Sequence, residues 1–62
     1  MYYIIDTLMD EMYYRHTAEE VSIFMLGRSI DRYLIVKNDK EANLYRANSG
    51  DITQIQKDLE AL

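Results

Sequence analysis

The sequence predicts an α+β fold: a four-stranded antiparallel sheet with two helices on one face, a two-layer sandwich built from a ββα unit written twice. Three observations predict it. Tyr2-Tyr3-Ile4-Ile5-Asp6 returns as Tyr33-Leu34-Ile35-Val36-Lys37, 31 residues later in a chain of 62. At the same offset Tyr14-Arg15 falls on Tyr45-Arg46, Asp10 on Glu41, Val21-Ser22 on Ile52-Thr53 and Phe24 on Ile55. Both halves also run through the same succession of strand signal, strand signal and helix start. The expectation is one domain over residues 1–62, with pseudo-repeats 1–31 and 32–62.

Tyr2 to Asp6 is rich in aromatic and β-branched residues and reads as a strand. Thr7-Leu8-Met9-Asp10-Glu11 interrupts that composition and Met12-Tyr13-Tyr14-Arg15-His16 restores it, as in an antiparallel hairpin whose turn lacks the usual Asn-Gly or Asp-Gly. Thr17-Ala18-Glu19-Glu20 is a capping box: the threonine hydroxyl can accept from the amide of Glu20 and the Glu20 carboxylate can reach back to the amide of Thr17. The helix it opens carries Val21, Phe24 and Met25 on one side, with Ile23 and Leu26 beside them. Gly27 closes it. In the second half, Arg32 to Lys37 is a strand, Asn38-Asp39-Lys40-Glu41 a polar turn and Asn43 to Ala47 the partner strand. Asp51, with Gln54 three residues on, forms a second capping box. Ile52, Ile55, Leu59 and Leu62 then lie at helical spacing on one face.

Composition narrows the function. A chain this short buries only roughly 60% of its unfolded surface, and it has no cysteine and one histidine, His16. No disulfide or His/Cys metal site can staple it, so a dense core or self-association must compensate. Seven Lys and Arg face eleven Asp and Glu, a formal charge of −4. All of that excess lies in residues 1–31. Affinity for phosphate backbones normally shows the opposite sign. No apolar run reaches the ~20 residues of a membrane span and no signal segment is evident, so a cytoplasmic location is expected.

Strand alternation puts Tyr3, Ile5, Leu34 and Val36 on one face, assigned to the core beneath the helices. The helix-free face then takes Tyr2, Ile4, Tyr33 and Ile35, joined by Tyr14 and Tyr45. With Ile23 and Leu26 of the first helix these form the candidate protein-interaction surface. Three accounts fit a tyrosine-rich face: good strand formers on a half-exposed surface, an interaction surface, or a base-stacking platform flanked by Arg15 and Arg46. Net charge disfavours the third. The acidic side chains Asp6, Asp10, Glu11, Glu19 and Glu20 suggest a further variant, in which carboxylates imitate phosphates for a basic partner.

No catalytic residue, metal ligand set or cofactor site is evident. Ser22, Ser29 and Ser49 lack any triad context, no phosphate-binding glycine loop occurs, and Glu19-Glu20 is explained by capping at the positive helix end. The expected function is that of a small acidic non-enzymatic module, regulatory or inhibitory, that binds a protein partner and is itself homodimeric. Its compact, proline-free, tyrosine-rich character resembles small accessory proteins of phages and mobile elements.

A second reading starts from Thr17-Ala18-Glu19-Glu20-Val21 followed by Leu26-Gly27-Arg28-Ser29, which resembles the first helix and turn of excisionase-type helix-turn-helix regulators. Asp58-Leu59-Glu60-Ala61-Leu62 is similar to the last helix of their winged domains. The resemblance covers residues 17–62 and implies DNA binding through Arg28, Arg32, Lys37 and Arg46, with a recognition helix over 30–37. It ranks second because the Tyr-Leu-Ile-Val run in that segment suits a strand and leaves little polar surface to read base edges.

Overall fold

The computed structural model describes residues 1–37 and 43–62, so the polar turn expected over 38–41 lies outside the described residues. The chain runs β1 (Tyr2–Asp6), β2 (Glu11–Arg15), α1 (Ala18–Phe24), β3 (Tyr33–Lys37), β4 (Asn43–Tyr45) and α2 (Ile52–Glu60). This is the predicted α+β class and element order. The strands form one sheet in the order β2-β1-β3-β4, and every neighbouring pair is antiparallel. The two apolar strands thus hold the centre. β2 and β4 are the edges.

Register sets the two faces. Opposite Ile4 stand Tyr13 of β2 and Ile35 of β3, and Ile35 in turn faces Tyr45 of β4. Residues directly opposite point to the same side, so Tyr2, Ile4, Tyr13, Tyr33, Ile35 and Tyr45 share one face. It is this face that enters the core. Tyr2, Ile4, Tyr33 and Ile35 form one buried cluster with Ala18, Val21, Phe24 and Met25 of the α1 region, Ile55 and Leu59 of α2, and Ala47. The face assignment read from the sequence is therefore reversed. Tyr3, Ile5, Leu34 and Val36, expected in the core, are only partly covered.

Tyrosine can occupy a core when its hydroxyl finds a partner. Tyr2 donates to the Leu59 carbonyl (3.3 Å), and the Tyr33 hydroxyl accepts from Arg28 Nη1 (3.1 Å) while its ring meets Phe24 edge-on. Phe24 also stacks at a tilt on Tyr13, with ring centroids 5.3 Å apart. Tyr45 donates to Asp58 (3.0 Å). Burial, with that hydrogen bond to a carboxylate, pushes its phenol up to about 12.

Each helix begins where a cap predicts. The Thr17 hydroxyl accepts from the Glu20 amide (3.1 Å), while the Glu20 carboxylate reaches the amide of His16 and not that of Thr17. Asp51 accepts from the amides of Thr53 and Gln54, and the Gln54 side chain turns forward to Asp58 instead of completing the box. α1 ends two residues before Gly27, which at φ 75° supplies the left-handed step out of the helix. In α2 Ile55 and Leu59 are buried with Ile52 and Leu62 at their margins, as the spacing predicts. Asp51→Ala removes the acceptor for two amides and should cost about 1 kcal/mol. Thermal unfolding followed by circular dichroism at 222 nm should show a midpoint roughly 4–8 °C lower.

Candidate interaction surface

The remaining strand positions make the face turned away from the core. Antiparallel register sets Tyr14 beside Tyr3, Met12 beside Ile5, Val36 beside Tyr3, Leu34 beside Ile5 and Leu44 beside Val36. From β2 to β4 the row is Met12 and Tyr14, Tyr3 and Ile5, Leu34 and Val36, and Leu44. All seven are apolar or aromatic. Met12, Tyr14 and Leu44 are exposed by 63%, 58% and 63%, and the four central residues are half-buried. The Tyr3 and Tyr14 rings lean on each other with centroids 6.3 Å apart.

Alternation also explains where the charge went. Asp6, Glu11, Arg15 and Lys37 stand at strand positions of the core-side parity. There each finds a partner at the margin of the core. Lys37 donates to the Leu62 carbonyl (2.9 Å), Glu11 accepts from the Tyr13 hydroxyl (2.6 Å), and the Arg15 guanidinium lies 5.1 Å from the Phe24 ring centroid. The Glu11 bond, with partial burial, raises the Tyr13 phenol above its usual range.

The most constrained polar group is Asp6, which is 2% exposed at the end of β1. Its carboxylate accepts two bonds from Arg32, at 2.8 and 2.7 Å, and one oxygen also accepts from the amides of Leu8 and Met9. The Arg32 bonds dominate over the opposing effect of burial, and the amides add to them, holding the carboxyl down at about 2. This aspartate closes the β1–β2 turn: it gathers the amides that follow it, and Asp10 completes the reversal at φ 54°, a region aspartate tolerates. That is why the hairpin forms without Asn-Gly. Sequence reasoning placed Asp6 among carboxylates displayed to a basic partner. Its burial and its ion pair rule out that display.

The other expectations divide. Tyr2, Ile4, Tyr33 and Ile35 are core residues and present no surface. Tyr45 sits on the core side and is half-buried. Tyr14 does lie on the uncovered face. Ile23 and Leu26 project from the far side of α1, exposed by 56% and 65%, apart from the sheet surface. Tyr3, Ile5, Leu34, Val36, Met12 and Leu44 were missed as surface residues because β1 and β3 are apolar on both faces. Alternation alone sorts their side chains into two sets without saying which set the helices cover.

The helix-turn-helix reading needs a helix over 30–37, and the chain is β3 from Tyr33 to Lys37. The four cations of that reading are engaged within the fold. Arg32 holds Asp6, and Arg28 donates to the Phe24 carbonyl at 2.8 Å with its guanidinium 4.1 Å from that ring's centroid. Lys37 reaches Leu62, and Arg46 the carbonyl of Asp31. Among the described residues no group of three or more His, Cys, Asp or Glu is placed to hold a metal ion, and no helix is long and apolar enough to cross a membrane. No family model, curated protein or solved structure matches the chain.

Proposed function

We propose that this chain is a small acidic non-enzymatic interaction module, a regulatory or inhibitory accessory protein that works by holding a protein partner on the uncovered face of its sheet. One observation carries the reading. Seven strand residues on one side of a 62-residue chain are apolar or aromatic, and none of them is charged. Contiguous apolar patches of that kind on small proteins mark interaction sites. Aromatic residues and methionine, here Tyr3, Tyr14 and Met12, are the types enriched at the centre of interfaces.

The polar chemistry supports a non-catalytic role. A general acid or base at neutral pH needs a pKa moved toward 7. The buried carboxylate of Asp6 is held in the opposite direction by Arg32. Its bonds go to a guanidinium and two amides of its own turn, a structural set.

A photoreactive phenylalanine derivative placed at Met12, with the same group at Glu19 on the exposed side of α1 as control, tests the reading. Irradiation in the cells that make the protein should give a protein adduct from position 12 and none from position 19. Absence of any adduct from position 12 in a folded sample would overturn the proposal.

We also read the fold as a two-layer sandwich of duplicated ββα units, with offsets that grow along the chain. Tyr2 and Ile4 match Tyr33 and Ile35 at 31 residues, and all four are buried in central strands. In the edge strands the equivalent of Tyr45 is Tyr13, 32 residues away, since these two face Ile35 and Ile4. In the helices the caps Thr17 and Asp51 are 34 apart. That alignment matches buried Val21 and Met25 with buried Ile55 and Leu59. The pairs Tyr14/Tyr45 and Phe24/Ile55 suggested by a constant offset do not occupy equivalent places.

A further inference from the structure

We propose that the occupant of the uncovered sheet face is a second copy of this chain, packed face to face about a twofold axis so that two four-stranded sheets form the centre of an α/β/β/α dimer. This rests on the reading of that face as an interaction surface and names its partner.

Charge selects the partner. Each copy carries −4, so two copies repel unless the contact excludes carboxylates. The uncovered face does so, because the parity of the strands sends Asp6, Glu11, Arg15 and Lys37 to the other side. The same neutrality leaves a charged partner nothing to pair with. A neutral apolar surface of matching curvature is required, and a twofold axis supplies one in every second copy. Such an isologous contact is self-complementary by construction.

Area agrees. A standard interface takes about 800 Å² from each partner, roughly a fifth of the chain's 4156 Å² of accessible surface. The body measures 27 × 25 × 17 Å, a flattened shape in which one broad face can supply that fraction. Stacked sheets sit ~10 Å apart with strands about 30° from parallel. At that spacing the half-buried residues of β1 and β3 meet at the centre, while Met12, Tyr14 and Leu44 close the rim. The arrangement also gives a chain without disulfide or metal the added burial that so small a core needs.

Sedimentation velocity over a wide concentration range, on the full chain, tests the proposal. The wild type should sediment as a dimer that dissociates on dilution. Tyr14→Lys, at an exposed position the monomer tolerates, and Leu34→Lys, near the centre, should each weaken association by about a hundredfold or more. The symmetry places every new charge in the contact twice and like charges side by side. Ile23→Lys, on the far side of α1, should leave association unchanged. Filtered NMR on a mixed labelled and unlabelled sample should show intermolecular contacts among Tyr3, Leu34 and Val36. A dimer indifferent to both sheet-face lysines would overturn the inference. A wild-type monomer at millimolar concentration that still yields a foreign-protein adduct from position 12 would overturn it too, yet leave the interaction reading standing. A folded monomer with no adduct would remove both.

Discussion

Ile4→Ala should lower the free energy of unfolding by about 2–5 kcal/mol, whereas Ile5→Thr, one residue along the same strand, should change it by less than about 1 kcal/mol. Ile4 is fully buried among Ile35 and both helices. Its truncation leaves a cavity that rigid strand neighbours on either side cannot fill. Ile5 lies on the uncovered face, where water already reaches it, and threonine keeps the β-branched shape the strand favours. A domain of 62 residues has a total stability of roughly 3–9 kcal/mol, so the first substitution removes about half of it and the second little. Urea unfolding followed by far-ultraviolet circular dichroism, at a concentration low enough to keep single copies dominant, measures both. Equal losses at the two positions, or the larger loss at Ile5, would mean that the core lies on the other side of the sheet.

That comparison also marks where the sequence stops being legible. Tyr2-Tyr3-Ile4-Ile5 reads as a strand because aromatic and β-branched residues crowd it, and the Thr17 and Asp51 caps locate both helices to within a residue. These are local signals, and local physics decides them. Which side of β1 the helices cover is a tertiary matter. Tyr2 with Ile4 and Tyr3 with Ile5 are interchangeable by composition, and the one polar residue on the Tyr2 side, Asp6, argues for exposure until Arg32 is brought beside it from 26 residues away. Exposure of tyrosine is equally poor guidance. Tyr2, Tyr33 and Tyr45 each satisfy a hydroxyl at the core margin with a partner that no spacing rule pairs with it. The repeat misled by its constancy: an extra residue in the second half moves Tyr45 across the sheet relative to Tyr14, and only hydrogen-bond register reveals it.

The Asp6 and Arg32 pair should give the fold its acid-labile share of stability. In the unfolded chain the Asp6 carboxyl has its ordinary value of 3.8, and in the folded chain Arg32 lowers it to about 2. A depressed value means that the folded state prefers the carboxylate, so the contribution is complete above about pH 4 and is lost as pH falls through about 2. Asp6→Asn isolates it. The amide oxygen can still accept from Leu8 and Met9 and keep the turn, while the amide group offers Arg32 a donor where it needs an acceptor. Removing one member of a buried pair is costly even when the pair itself adds little over an apolar contact, because the remaining charge loses its counter-charge without regaining full hydration. Arg32 is 35% exposed, so water softens that cost without cancelling it. The variant should therefore be less stable than the wild type at pH 7. Its urea midpoint should lack the share of acid loss between pH 4 and 2 that Asp6 contributes, and the two curves should approach each other near pH 2 as the wild-type carboxyl takes up its proton. Parallel curves over that interval would show that the acid dependence arises from other groups and that the Arg32 contact does not distinguish the two protonation states of Asp6.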